Sequence, residues 1–206
     1  MIAQQVAQAL LEINAVKLSP NAPFTWASGI LSPIYCDNRI VLSHPSARSI
    51  VKNAFVEKSQ QFDYEVIAGV ATAGIPHGAL LADALGVPFI YVRDKAKGHG
   101  RQNQIEGEVK AGQKVLVIED LISTGGSSIK AVHALKEFGC EVTGALAIFT
   151  YGFAEAQVIF DEENVPLDTL SNYDALIDEA LKLNYVSEND LETLRNWRLN
   201  PKEWGK

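Results

Sequence analysis

Apolar residues recur along this chain in two periods, and the changes of period separate one element from the next. Ile2, Val6, Ala9, Leu10, Ile13 and Val16 share one face of a 3.6-residue repeat, so 2–16 reads as a surface helix with one buried stripe. Ala47, Ile50, Val51, Ala54 and Phe55 repeat that spacing over 43–60, behind Ser43 and Pro45 as start signals. Elsewhere the apolar positions run together, at Val66–Val70, Val87–Val92, Val115–Ile118 and within 141–150, where Val142, Ala145, Leu146, Ala147, Ile148 and Phe149 fall. Short unbroken runs of this kind suit strands buried on both faces. The first run leads through Ala71-Thr72-Ala73-Gly74-Ile75-Pro76 into a helix over 77–85, and the third leads through a polar turn into Ile129, Val132, Leu135 and Phe138 at helical spacing. Strands that alternate with helices predict an α/β fold, a mainly parallel central sheet flanked by helices on both faces.

The ends of the chain read differently. Phe24 to Arg39 mixes aromatics and β-formers around a Gly turn, which predicts a small N-terminal hood contributed by about 18–40, and its aromatics suit stacking on a flat base or packing onto the body. Ser171 and Ser187 each stand three residues before an acid, Asp174 and Asp190, like N-caps of helices within 170–204, with Trp197 and Trp204 to dock them. No internal repeat or low-complexity linker divides the chain, so a single domain over 1–206 is expected.

Composition narrows the class. The 206 residues are 47% hydrophobic, enough for one sizeable core, and 18 basic against 25 acidic residues give a net charge of −7. That balance argues against nucleic acid as a partner. Met1–Leu11 carries no basic residue and no apolar run is long enough to span a bilayer, so a cytoplasmic protein without membrane contact is expected. Cys36 and Cys140 are too few for a disulfide framework and have no metal-ligand company.

Positive charge is concentrated where it alternates. Arg93, Lys95, Lys97, His99 and Arg101 occupy every second position, opposed in that stretch by Asp94, and Gly98, Gly100 and Gly107 loosen the segment. Two readings stand: a solvated edge hairpin protected by its lysines, or a flexible basic lid over 93–107 that closes on an anionic ligand.

The chemistry-bearing stretch is Glu119-Asp120-Leu121-Ile122-Ser123-Thr124-Gly125-Gly126-Ser127-Ser128. A buried strand would deliver two carboxylates to its carboxyl end, where open α/β sheets place ligands. Thr124 to Ser128 then offer two glycines, three hydroxyls and backbone N–H groups just before a helix, which reads either as a phosphate cradle or as an ordinary capped βα turn. No Lys follows the second Gly, as a Walker A loop requires, and the Gly-x-Gly-x-x-Gly of dinucleotide sites does not occur. Carboxylates repel a neighbouring phosphate unless sugar hydroxyls or a divalent cation stand between, so a sugar phosphate is the expected ligand.

Those residues resemble the phosphoribosyl diphosphate (PRPP) motif of the type I phosphoribosyltransferases, in the form carried by the branch that uses orotate. The resemblance extends to Gly69, Ala71, Gly74, Ile75 and Pro76, to the hood pattern Phe24-Thr25-Trp26-x-Ser28-Gly29 with Ser32-Pro33-Ile34-Tyr35-Cys36-Asp37-Asn38-Arg39, and to Arg93, Lys97, His99 and Gly100 in the lid. It implies a type I phosphoribosyltransferase-like fold and transfer of the 5-phosphoribosyl group of PRPP to orotate. The products would be orotidine 5-phosphate and pyrophosphate, in de novo pyrimidine (UMP) biosynthesis.

The same resemblance implies roles. Glu119 and Asp120 would face the ribose, with Leu121, Ile122, Ser123, Thr124, Gly125, Gly126 and Ser127 completing the PRPP site and Ser123 also meeting the base. The loop 71–76 would face the pyrophosphate. Arg93, Lys97 and His99 would be the catalytic lid residues and would reach into a partner subunit's site, which makes a homodimer. Mg²⁺ would arrive on PRPP with no direct protein ligand. Many members carry a Lys in the hood where this chain has Ala27 and Leu31, some carry an Arg where Tyr151 stands, and some carry a Lys at Asp94. Arg39 is then the nearest candidate for the orotate carboxylate. The alternatives are a phosphoribosyltransferase for another base and a PRPP-sensing regulator of the same fold, which would need a DNA-binding surface that this acidic chain does not advertise.

Overall fold

A computed structural model describes residues 1–26, 29–95 and 104–205. Its centre is a six-stranded sheet ordered β10-β9-β8-β5-β6-β7, built from β5 (Val66–Val70), β6 (Phe89–Val92), β7 (Ile105–Glu106), β8 (Lys114–Ile122), β9 (Glu141–Thr150) and β10 (Leu167–Asn172). Five strands are parallel, and β7 pairs antiparallel with β6 at the edge. Alternate side chains go to opposite faces. Ile67, Leu116, Ile118, Leu146 and Ile148 meet one hydrophobic cluster, with α1 (Ile2–Glu12), α2 (Pro45–Ser59), α3 (Gly74–Leu85), α6 (Tyr173–Lys182) and α7 (Glu188–Leu199). Val66, Ala68, Val115, Val117, Ala145 and Ala147 meet the other, under α4 (Gly126–Phe138) and α5 (Ala154–Glu162). This is the α/β arrangement, a mainly parallel sheet with helices on both faces, that the apolar runs predict.

The order of the parallel strands reverses between β5 and β8, the strands that lead off to opposite sides of the sheet. In doubly wound sheets such a reversal opens a crevice at the carboxyl ends of the two strands, because their following connections diverge to opposite faces. Both glycine-bearing turns singled out above start at those two ends.

Two small antiparallel pairs precede the sheet. β1 (Val16–Leu18) pairs with β4 (Ile34–Cys36), and β2 (Phe24–Thr25) pairs with β3 (Leu31–Ser32). Residues 27 and 28, within this segment, lie outside the described residues, as does Ala27 with them. A 3-10 helix, Asn38–Ser43, then leads into α2.

Two boundaries and one strand differ from the sequence reading. Helix α1 stops at Glu12 because Asn14 takes a left-handed conformation (φ 56°), and Val16 starts a strand instead of ending the helical stripe. The N-cap of α6 is Asn172, whose side chain accepts from Ala175 N at 3.0 Å; Ser171 lies in β10 and donates to the carbonyl of Ala3. Ser187 does cap α7, in a reciprocal box with Asp190. The strand β10 itself, Leu-Asp-Thr-Leu-Ser-Asn, is too polar to stand out among the apolar runs.

Candidate active site

The crevice is set by a close approach of two backbones. A Cβ on Gly74 would collide with the carbonyl oxygen of Ile118, and one on Gly69 would stand 2.9 Å from the Gly74 oxygen. The start of α3, which follows the β5 loop, therefore packs directly on the backbone of β8, which a side chain at Gly74 would prevent, and it packs on β5 itself, which one at Gly69 would prevent. The peptide between Ala71 and Thr72 in this loop is cis.

Glu119 and Asp120 fall within the last half of β8, since the strand continues to Ile122. Glu119 is 5% exposed. Its Oε1 accepts from Asp120 N at 3.0 Å, and its Oε2 accepts from Ser128 Oγ at 3.2 Å and Ser127 Oγ at 3.4 Å. Burial holds the Glu119 carboxyl well above the ordinary range, and the neighbouring Asp120 charge pushes the same way. Burial raises Asp120 too, opposed by its hydrogen bonds and by Arg39. Two carboxyl groups this close and this dry invite donors: ligand hydroxyls that bond the ionised form would repay its lost hydration.

The turn that follows ends on Gly125, in the left-handed region (φ 82°), with the rings of Phe160 and the side chain of Ile159 packed against its open side. Helix α4 starts at Gly126 without a side-chain cap. Its first N–H groups lack intrahelical partners by construction and carry the positive end of the helix dipole. Ser123, Thr124, Gly125, Gly126 and Ser127 thus present a turn suited to one phosphate beside the acidic pair. Leu121 is partly exposed, whereas Ile122 is 1% exposed with its side chain in the core.

Next to the turn lies a cleft of about 400 Å³ lined by Thr25, Trp26, Tyr35, Cys36, Leu121, Ser123 and Tyr151. Three aromatic rings and four small polar or apolar groups suit a flat, polar heterocycle. Burial pushes the Tyr151 phenol and the Cys36 thiol far above their ordinary ranges, so both enter the cleft neutral. Trp26 is fixed by a bond from its Nε1 to the Ile34 carbonyl at 3.1 Å and stacks obliquely on Tyr151, with ring centroids 5.3 Å apart.

Asn38, named above within the hood pattern but given no role there, is fully buried between these two regions. Its Nδ2 donates to the Asp120 carbonyl at 2.7 Å, and its Oδ1 accepts from Cys36 Sγ at 3.4 Å. One amide thereby ties the acidic pair to the cleft wall. Its signal was present only as an uncharged residue between two charged ones in Asp37-Asn38-Arg39.

Arg39 is not among the described residues that line the cleft. Its side chain is 66% exposed and held in a fork by Asp37, Nε to Oδ1 at 2.7 Å and Nη2 to Oδ2 at 2.9 Å, and that guanidinium holds the Asp37 carboxyl below its ordinary range. Arg93 follows β6 beside the β5 loop. Its N donates to the Gln104 carbonyl at 2.9 Å, and its Nη1 reaches Glu106 Oε1 at 3.3 Å, so the chain leaves and rejoins the sheet edge as an antiparallel pair. Asp94 meets Lys130 of α4 at 3.4 Å. Lys97 and His99 lie outside the described residues. His77 is a core residue, 3% exposed against the ring of Phe55.

Comparison with known proteins bears on this arrangement. Residues 38–174 match the family model described as "Phosphoribosyl transferase domain". The strands β1 to β4 and helix α7 lie outside that match. The orotate phosphoribosyltransferase of Listeria monocytogenes is 58% identical, over 100% of this chain and 99% of the relative. The orotate phosphoribosyltransferase structure from Aeropyrum pernix superposes with a TM-score of 0.75 at 30% identity, over 88% of this chain and 99% of that one. That of Mycobacterium tuberculosis in complex with 5-phospho-α-D-ribosyl 1-diphosphate superposes with a TM-score of 0.67 at 25% identity, over 84% of this chain and 98% of that one.

Proposed function

The chain belongs to the orotate phosphoribosyltransferase family, and from that premise we propose that it transfers the 5-phosphoribosyl group of PRPP to orotate, in pyrimidine biosynthesis. The observation that carries this reading is the position of Ser123, which opens the phosphate turn and also lines the aromatic cleft. A sugar phosphate held by the turn and a base held in the cleft would meet at that residue, as bond formation between sugar carbon and ring nitrogen requires.

In this reading the backbone N–H groups of Thr124 to Ser127 hold the 5-phosphate, and Glu119 and Asp120 accept from the ribose hydroxyls. The bond from the anomeric carbon to the diphosphate breaks with its electron pair leaving on oxygen. The same carbon bonds to the pyrimidine nitrogen, whose proton passes to water. The carbon becomes oxocarbenium-like on the way, so charge on the leaving group dominates the barrier. The loop 71–76 is proposed to face the departing diphosphate, and Arg93, Lys97 and His99 are the lid residues proposed to neutralise it, supplied across a homodimer interface.

Mg²⁺ prefers one or two carboxylates plus substrate phosphates to an all-protein cage. In this reading Mg²⁺ is carried in on the phosphates of PRPP with no direct protein ligand, and among the described residues no three His, Cys, Asp or Glu side chains gather to hold an ion. Carried there, Mg²⁺ would supply charge neutralisation to the diphosphate. Arg39, the proposed partner of the orotate carboxylate, would have to exchange Asp37 for the ligand. The reaction is assigned to the cytoplasm; among the described residues no helix is long and apolar enough to cross a membrane.

The test is a turnover panel of purified protein with Mg²⁺, PRPP and orotate, uracil, adenine, hypoxanthine or xanthine, following pyrophosphate release. Strong preference for orotate is expected. Preference for another base would keep the PRPP site and sink the orotate assignment, and PRPP binding without turnover of any base would sink the enzyme reading.

A further inference from the structure

Helix α7 is the last element of the chain, yet its central ring packs against the hood. Trp197 is fully buried and its Nε1 donates to the Leu31 carbonyl of β3 at 3.2 Å. Its indole lies edge-on to Trp26 (5.7 Å, 82°) and to Tyr151 (5.7 Å, 84°), and it also meets Phe153 at 5.5 Å and Tyr173 at 5.4 Å. Trp26 and Tyr151 are two of the rings that line the cleft. Trp197 itself is not among the residues lining it.

Two more approaches join the same two parts of the chain, at Asn21 and at Gly205, and Arg198 ties α7 to α6. Asn21 donates to Asp190 at the start of α7 at 3.2 Å. Arg198 pairs with Asp174 and lies over the Tyr173 ring at 5.8 Å. A Cβ on Gly205, past the helix, would stand 3.1 Å from Leu31. One part of the cleft wall and the ring that supports it therefore come from the two ends of the chain, outside the segment that carries the family match, while Leu121, Ser123 and Tyr151 lie inside it. The phosphate turn belongs to that segment and touches Trp197 through none of these contacts.

We propose that Trp197 is a positioning residue that sets the width of the base cleft, and through it the selectivity for the pyrimidine, without taking part in PRPP recognition. The inference rests on the orotate reading given above. Trp26 and Tyr151 lie against each other, centroids 5.3 Å apart, and form one wall of the cleft; edge-on support from Trp197 behind both rings stops that wall from leaning into the space for the base or away from it. The Nε1 bond adds the matching restraint on β3, and losing it would leave the Leu31 carbonyl without that donor.

The experiment compares wild type, Trp197→Phe and Trp197→Leu by steady-state kinetics with each substrate varied in turn, alongside the thermal midpoint. Trp197→Leu is expected to raise the KM for orotate about tenfold, the scale of a misfitted apolar pocket, with the KM for PRPP within about twofold of wild type. It should also narrow the preference for orotate over uracil. Trp197→Phe keeps a ring behind Trp26 and Tyr151 and loses the N–H, so it should recover most of the orotate KM and leave a selective rise of about two- to threefold. If Trp197→Leu does not fold, Trp197→Phe alone decides: a selective rise in orotate KM supports the proposal and equal KM values overturn it. A folded Leu variant with unchanged orotate KM, or with both KM values raised together as the thermal midpoint falls, also overturns it. Wild-type protein that fails to use orotate would instead sink the underlying reading, so the two failures are distinguishable.

Discussion

Glu119 concentrates the electrostatics of the site in one residue. It is buried, faces a second carboxyl, and receives three donors: the Asp120 N–H and the Ser127 and Ser128 hydroxyls. Those donors favour the ionised form, but burial outweighs them and its carboxyl stays raised. A ligand that brings hydroxyl donors would shift that balance toward the anion. Glu119→Gln keeps the shape and one acceptor, and the Ser128 hydroxyl can rotate to accept from the new amide. The fold should therefore survive while the charged acceptor is lost. Hydrogen bonds to charged groups contribute about 1.5–3 kcal/mol, so kcat/KM for PRPP should fall by roughly ten- to a hundredfold, with orotate KM little changed. An unaltered kcat/KM for PRPP in a folded variant would remove Glu119 from ribose recognition.

The two glycine-bearing turns work as elements because their backbones touch. Gly74 sits where a Cβ would strike the Ile118 carbonyl, and the struck atom is backbone at the centre of β8, which cannot swing aside. Gly74→Ala should push the start of α3 off the backbone of β8, lower stability by about 1–3 kcal/mol and depress turnover beyond what the stability loss explains. Urea unfolding and initial rates on the same preparation check this; a stable variant with full activity would show that the crevice tolerates a wider gap. The motif was legible as sequence because the chemistry needs side chains of fixed type at fixed spacing: Glu119, Asp120 and the turn to Ser127 all come from one strand and its turn. The cleft was not. Its walls come from residues 25–36, 121–123 and 151, and its buttress from 197, so periodicity within any one segment carries no sign of it. Asn38 was hidden for the same reason, since an amide next to charged neighbours reads as surface until a carbonyl 82 positions away is found above it. The strand β10 was missed because its partner β9 is apolar while its own residues alternate with Asp168, Thr169 and Ser171.

At the scale of the whole molecule, the buried ionisable groups pull stability in opposite directions as pH changes, and His77 can be separated from the rest. His77 is 3% exposed, its Nε2 has no hydrogen-bond partner among the described residues, and burial lowers its pKa from 6.5 to about 4. The unfolded chain therefore takes up a proton near pH 6.5 that the native state refuses until about pH 4, so this residue's contribution is intact above the first value and is lost as pH falls toward the second. The full loss is of order 3 kcal/mol. Glu119 and Asp120 act in the reverse sense: their raised native pKa values mean that the folded state holds protons the unfolded state has released, which costs stability as pH rises above the ordinary carboxylate range. The wild-type curve mixes both slopes, and only a difference isolates the histidine. His77→Leu keeps the volume against Phe55 and removes the titrating ring. Subtracting its urea-unfolding free energies from those of wild type between pH 4 and 7 should leave a difference that moves in favour of the variant as pH falls, by an amount approaching the same order. Parallel curves across that range would mean that His77 meets water or a donor in solution, and that the acid sensitivity of the molecule lies elsewhere.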